Sequence, residues 1–260
     1  MRKALSLLIL TLCILNTNGY AQKHTIKDTS LPVFMVGAQL EGDLTAGDLK
    51  QRFGPGITVG GFVSYKTSSN WMFILEYAYM YSSNVNENHA LDSISTKNAD
   101  PSQRYLINAN GEYQILNIYE SGNIVLFKIG KILPLLQRNP NCGLTIKAGA
   151  GFMQHEIYYY WVGDAPPQLS GNYIKGYDRL TYGPAISGSL GYHYMSNNAK
   201  VNFEIDLDII KGFTYDQRPY DFNTQQWNNK LRNDILMGIK LAWFFPIYGK
   251  NSKVEGNTFY

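Results

Sequence analysis

The chain has 260 residues, with 23 basic and 20 acidic side chains, 45% apolar residues, and an aromatic set of 20 Tyr, 12 Phe and 4 Trp. So small a net charge argues against nucleic acid as a partner, and negative mean hydropathy excludes a helical membrane protein. Neither excludes a membrane β-barrel, in which half of every strand is polar.

Residues 1–21 read as a signal peptide: Arg2 and Lys3 form a basic start, 4–15 are nearly unbroken apolar sequence, and Gly19-Tyr20-Ala21 offers a small-x-small cleavage site before Gln22. The apolar run is too short for a bilayer-spanning helix, and no later segment reaches about 18 apolar residues. The mature chain is thus expected to be exported. Removing the leader leaves 21 basic against 20 acidic residues. Cys13 leaves with it, and Leu10-Thr11-Leu12-Cys13 lacks the small residue that precedes a lipidated cysteine. Cys142 then stands as the sole mature cysteine, so no internal disulfide or cysteine zinc cluster is expected.

After a polar lead at 22–30, eight segments alternate apolar and polar side chains, the period of a strand with one oily face. Strand 1 is expected at 32–42, with Phe34, Val36, Ala38 and Leu40 on one face, followed by a Gly/Asp loop at 43–55. Strand 2, at 56–66, sets Ile57, Val59, Val63 and Tyr65 against Thr58, Gly60, Ser64 and Lys66. A turn at 67–70, made of residues that bond their own backbone, leads to strand 3 at 71–82. Trp71, Phe73, Leu75, Tyr77, Tyr79 and Tyr81 share one side of it, and Glu76 stands among neutral residues on the other. Residues 83–111 read as the largest loop, without strand character. Strand 4, at 112–131 with a bulge near Glu120-Ser121-Gly122, puts Val125, Phe127 and Ile129 opposite Lys128.

A second turn at 132–141 carries Pro134 and Pro140. Strand 5, at 142–161, puts Leu144, Ile146, Ala148, Ala150 and Phe152 on one side and Thr145, Lys147, Gly149 and Gly151 on the other, and ends in an aromatic girdle, Tyr158-Tyr159-Tyr160-Trp161. After a Pro/Gly-rich loop at 162–178, strand 6 at 180–195 sets Tyr182, Ile186, Leu190, Tyr192 and Tyr194 against Gly183, Ala185, Ser187, Ser189, Gly191 and His193. A third turn at 196–199 leads to strand 7 at 200–213. There Val201, Phe203, Ile205, Leu207 and Ile209 oppose Asn202, Glu204, Asp206 and Asp208. A loop at 214–232 precedes strand 8 at 233–248, where Ile235, Met237, Ile239, Leu241, Trp243 and Phe245 alternate with Gly238, Lys240 and Ala242.

Connections after strands 2, 4 and 6 are short, and those after 1, 3, 5 and 7 are long. Strict alternation of this kind marks an up-and-down transmembrane barrel with both termini on the short-turn side. A soluble lipocalin-type barrel would instead turn its apolar residues inward. Aromatics crowd the apolar face here, and Gly, Ser or single charges the other. The expected fold is therefore an all-β, eight-stranded, antiparallel, up-and-down transmembrane β-barrel over 31–248, with a tail at 249–260.

On these strands the chain resembles the small outer-membrane β-barrel proteins of Gram-negative bacteria, of the OmpA-transmembrane-domain type. The leader ending Tyr20-Ala21-Gln22 and the Gly-rich aromatic strands look most like members from Bacteroidota. Gly238, Leu241 and Trp243 partly match the C-terminal signal read by barrel-assembly machinery; Leu236 and the tail, which ends in Phe259-Tyr260, depart from it. The resemblance implies placement in the outer membrane, with its lipid and lipopolysaccharide, and other envelope proteins, as partners.

Eight strands leave a lumen only wide enough for side chains. Glu76, Glu204, Asp206 and Asp208 against Lys128, Lys147 and Lys240 are expected to form a structural salt-bridge plug, with Lys240 bonded to Glu204 and Asp206 across the strand 7–8 pairing. A gated proton or ion path is the sharper reading of the same charges. A lipid-A-modifying enzyme would need a nucleophilic Ser and a His base at the outer lipid boundary. His24 lies in the lead, His89 in a loop, and His193 near the short-turn end. His155, beside Glu156 at the outer end of strand 5, is the best placed, yet it lacks a His-x-Ser companion and reads as a solvated or girdle histidine. No two histidines stand at metal-ligand spacing and there is no Gly-rich phosphate loop, so no cofactor is expected. The loop aromatics Tyr215, Tyr220, Phe222 and Trp227 suit an interface. The reading is a non-enzymatic outer-membrane barrel, a structural component or an accessory subunit of a secretion, assembly or adhesion complex. The enzyme and a narrow gated channel are the alternatives.

Overall fold

A computed structural model describes residues 30–86, 94–97, 104–134, 139–196, 201–218, 220–222, 225–227 and 230–248. The leader, His24, His89 and the tail lie outside the described residues. The sheet is a closed barrel of eight strands: β1 Val33–Gly47, β2 Gly56–Lys66, β3 Trp71–Ser82, β4 Asn117–Leu133, β5 Gly143–Tyr160, β6 Thr181–Met195, β7 Asn202–Asp216 and β8 Arg232–Ile247. Every strand pairs antiparallel with its sequence neighbours, and β8 closes on β1. Closure leaves no unpaired edge in the barrel wall.

The registers fix the barrel's shape. The line of partners from Val36 runs through Val63, Leu75, Phe127, Ala150, Ile186, Lys211 and Ile235 and returns to β1 at Ala46, ten residues higher. A stagger of ten over eight strands sets a tilt of about 41°, so each residue climbs about 2.5 Å along the axis and each step along that line about 3 Å.

The apolar face turns outward on every strand, and Phe34, Val36, Leu40 and Leu44 of β1 are all exposed. From Phe34 to Leu44 this stripe is about 25 Å tall, the height of a membrane-facing band. At the level of Leu44, by the same geometry, the wall changes character: β4 presents Asn123, β5 Gln154 and β7 Lys211. At the other end Trp71 carries Lys131 over its ring at 4.9 Å, as an interfacial aromatic pair does.

Several boundaries differ from the sequence reading. β1 runs on to Gly47 because Asp43 and Leu44 keep the alternation, Asp43 buried inside and Leu44 out. The following loop is no plain Gly/Asp connection. It makes a helical turn, Leu49–Arg52, whose Leu49, with Phe53 after it, is buried over the barrel mouth. Part of the long 83–111 loop is structured: Thr96–Lys97, Arg104–Ile107 and Tyr113–Ile115 form a small sheet, and β4 starts only at Asn117. The expected bulge is absent, since Glu120, Ser121 and Gly122 pair one-to-one with both neighbouring strands. β7 extends to Asp216, and a short hairpin, Tyr220–Asp221 with Gln226–Trp227, follows it. The girdle at 158–161 splits by parity: Tyr158 and Tyr160 point out, while Tyr159 points in and donates to the Tyr177 carbonyl at 2.8 Å.

Glycines make room for the long lumen side chains. A Cβ on Gly149 would sit 2.5 Å from Lys128 Cγ, and one on Gly130 2.5 Å from Lys147 Cγ. Gly149→Val is expected to destabilise the barrel by about 1–3 kcal/mol through overpacking. The check is the midpoint of its unfolding transition in urea, followed by the gel-mobility difference between folded and unfolded barrel.

Candidate functional site

The interior is layered. At the short-turn end Val33, Met35, Met72, Ile74, Ile132, Cys142, Met195 and Phe244 form an apolar floor. Below it Lys66 Nζ donates to Ser30 Oγ (2.9 Å), the Leu31 carbonyl (3.0 Å) and Asn141 Oδ1 (2.8 Å), tying the incoming chain under the barrel. Asn70, held at a positive φ of 65°, closes the same end by donating to the Pro140 carbonyl.

Above the floor lies a belt of charge. Parity along β3, β4, β5, β7 and β8 brings Glu76, Lys128, Lys147, Glu204, Asp206, Asp208 and Lys240 together, all buried. Lys128 Nζ lies 2.7 Å from Asp208 and 3.2 Å from Glu76. Lys240 Nζ lies 2.9 Å from Asp208, 3.4 Å from Glu76 and 3.9 Å from Asp206. Lys147 pairs with Glu204 and, at 2.7 Å, with Asp206. The expected Lys240–Glu204 bond is replaced by this Lys147 pair, and Glu204 also meets His193 Nδ1 at 2.7 Å. The reason is reach: inward side chains of a narrow barrel meet across the lumen as readily as along one strand pair. A void of about 10 Å³ remains among Gln39, Phe62, Glu76, Lys128, Glu204 and Lys240, room for about one water.

Sequence reasoning missed the belt's loopward extension. Glu41 and Asp43 of β1 are buried in the lumen, and Thr58 donates to Asp43 Oδ2 at 2.5 Å. A second apolar layer, with Met80, Ile124, Leu126, Met153, Ile210 and Leu236, covers this part of the barrel. Near the mouth His155 is fully buried, its Nε2 2.8 Å from Asp234 Oδ2. Thr214 bonds the same oxygen, and Arg232 lies 3.2 Å from Oδ1. His155 is therefore neither solvated nor part of a girdle. The parity that turns Thr145 and Lys147 inward continues to it, and its partner is Asp234 rather than the adjacent Glu156.

The mouth is closed from above. Phe53 meets the His155 ring edge-on at 5.6 Å. Arg52 donates to Thr181 Oγ1 (2.6 Å), Asp216 Oδ1 (2.7 Å) and the Arg179 carbonyl (3.1 Å), so one guanidinium clamps the turn over β6 and β7. Farther out Arg179 pairs with Asp221, and Arg218 with Asp178 at 3.3 Å. Burial holds the Asp178 carboxyl above its usual range, although the Leu180 N–H and Arg218 pull it down. Of the loop aromatics, Tyr220 packs edge-on against both Phe222 and Trp227, and Trp227 is 71% exposed. Among the described residues no group of three His, Cys, Asp or Glu side chains is placed to hold a metal ion.

A closed barrel that is apolar outside and charged inside is a transmembrane β-barrel, here of the small eight-stranded kind. No protein-family model and no curated protein matches the chain. Among solved structures it is similar to Ail, the attachment invasion locus protein of Yersinia pestis, at 6% identity and a TM-score of 0.42, over 83% of this chain and 99% of that one. A second structure of Ail, in complex with the heparin analogue sucrose octasulfate, gives 9% and 0.40 over the same shares. The N-terminal β-barrel domain of Pseudomonas aeruginosa OprF gives 8% and 0.31, over 80% of this chain and 97% of that one. At such identities and scores the likeness is one of architecture.

Proposed function

We propose that the chain is exported, inserted in an outer membrane among lipid and lipopolysaccharide, and serves there without catalysis, as a structural barrel or as an accessory subunit that docks to a larger envelope assembly through its loops. The observation that carries this reading is the pairing of a 25 Å apolar band, about the span of a membrane, with an interior filled by interlocking ion pairs and sealed by apolar layers at both ends. A lipid-A-modifying enzyme would need His155 at the lipid boundary, and it lies inside the wall beneath Phe53. A narrow channel would need a water path, and the belt leaves room for about one molecule.

Purification from native membranes in mild detergent, with identification of what accompanies the barrel, tests the docking role directly. Solubility without detergent would sink the whole reading. In planar bilayers the reconstituted protein is expected to stay silent. Discrete steps of conductance that change in Lys240→Ala would replace the structural reading with a channel, and an altered lipid A acyl count in a deletion strain would replace it with an enzyme.

A further inference from the structure

We infer that the capped mouth of the barrel is a binding site for a primary ammonium group, covered by the turn between β1 and β2. The inference goes beyond the proposed function and holds whatever surrounds the outer wall. Two inward groups at this level are left over by the network of the mouth. Glu120 Oε1 and His155 Nδ1 have no hydrogen-bond partner, and their residues are 2% and 0% exposed. Buried polar atoms without partners are rare in folded proteins, and each needs a cause. The two groups are also neighbours. His155 stands opposite Gly122, and Glu120 is the next inward residue of β4, so they are diagonal partners about 7–8 Å apart along the wall.

Both leftover atoms are acceptors. Asp234 can only accept, so Nε2 of the buried neutral ring carries the proton between them and Nδ1 keeps a lone pair. Glu120 meets no cation: the charges that act on it are those of Asp43 and Asp234, both of its own sign. The arginines nearby are committed, Arg52 to Asp216 and Arg232, whose Nε is itself unpartnered, to Asp48 and Asp234. Positive charge and hydrogen-bond donors are missing together, and an ammonium supplies both in one small group. A metal ion does not fit, since no three ligating side chains converge among the described residues.

The cover can move as one piece. Residues 48–53 lie between Gly47, at a φ of 60°, and Gly54, and such positions absorb the backbone rotation of a hinge. Phe53 lies edge-on over His155, Leu49 is buried beside it, and Arg52 and Asp48 pin the piece to Thr181, Asp216 and Asn233. Lifting it uncovers both acceptors and leaves the charge belt closed, because Met80, Ile124, Met153 and Leu236 lie between. Glu120 stands three residues beyond Asn123, above the apolar band and within reach of an aqueous ligand.

The test uses the full mature barrel in detergent micelles. Butylammonium chloride is the probe, and tetramethylammonium chloride, of equal charge but without a donor, is the control. Binding is followed by calorimetry and by the nitrogen NMR shift of His155 Nδ1. Butylammonium is expected to bind and to move that resonance, and tetramethylammonium to do neither. Glu120→Gln keeps the shape and removes the charge, so butylammonium should bind it about tenfold more weakly, the loss of one charge-assisted bond. Phe53→Ala should bind it more tightly, because less of the cover must be displaced. A lysine tripeptide sorts the source: tighter binding than butylammonium assigns a peptide side chain, weaker binding a free amine. No binding of butylammonium by the wild type, or equal binding of the two ammonium ions, overturns the site without relying on any variant. Equal affinity of wild type and folded Glu120→Gln overturns it as well, and unchanged affinity in Phe53→Ala removes the cover from it.

Discussion

Lys147→Met is expected to cost the folded barrel about 3–5 kcal/mol, the penalty of leaving buried charge without its partner. The substitution keeps an unbranched side chain of nearly the same length and removes the ammonium that both Glu204 and Asp206 share. What remains is one histidine nitrogen on Glu204, and on Asp206 the Thr145 hydroxyl at 3.4 Å and Lys240 at 3.9 Å. Urea titration in lipid vesicles should show the loss as a lower midpoint with an unchanged slope. Glu204→Gln introduced in the same chain should recover part of it, because the orphaned carboxylate is gone. Lys66→Met is the contrast. Lys66 is as deeply buried but is held by a hydroxyl, a carbonyl and a side-chain amide, so its loss should cost about 1–3 kcal/mol. Equal costs for the two lysines would mean that the belt is held by packing and not by charge.

The strands were legible because a two-residue period and turn chemistry are local signals. β2 and β3 begin and end where the alternation does, and the inward parity of Lys128, Lys147, Lys240 and the Glu204–Asp206–Asp208 row follows from it. Who meets whom was not legible, because a stagger of ten residues carries partners around the barrel. Lys147 on β5 reaches Glu204 on β7 past the small Ser189 and Gly191 of β6. The missed groups have particular causes. Glu41 falls inside the expected strand 1 with inward parity, but a single acid among neutral residues carries no pairing signal, and Asp43 falls in the Gly/Asp-rich stretch that reads as a loop. His155 carries its signal in parity, but aromatic neighbours on both faces of the strand mask it. Arg52 enters the mouth from a loop, where no periodicity exists to point it inward.

The solvent of the outer wall decides between a membrane barrel and any soluble alternative, and Leu207→Arg puts that question to one side chain. Leu207 is 60% exposed, faces away from the lumen, and by barrel geometry lies near the middle of the apolar band. In water, an exposed Leu→Arg change away from any contact moves stability by about 0.5 kcal/mol or less. In lipid, arginine at mid-depth costs about 2–4 kcal/mol, falling to about 0–1 kcal/mol near the interface. Tyr215→Arg, on the same strand and face but above the band, supplies the reference. The expected result is a depth profile: strong destabilisation and poor membrane assembly for Leu207→Arg, near-neutral behaviour for Tyr215→Arg, measured by urea unfolding in vesicles and by the fraction recovered in the membrane. A flat profile, with both arginines tolerated alike, would mean that water or another protein covers Leu207. The apolar band would then be an interface of a different kind.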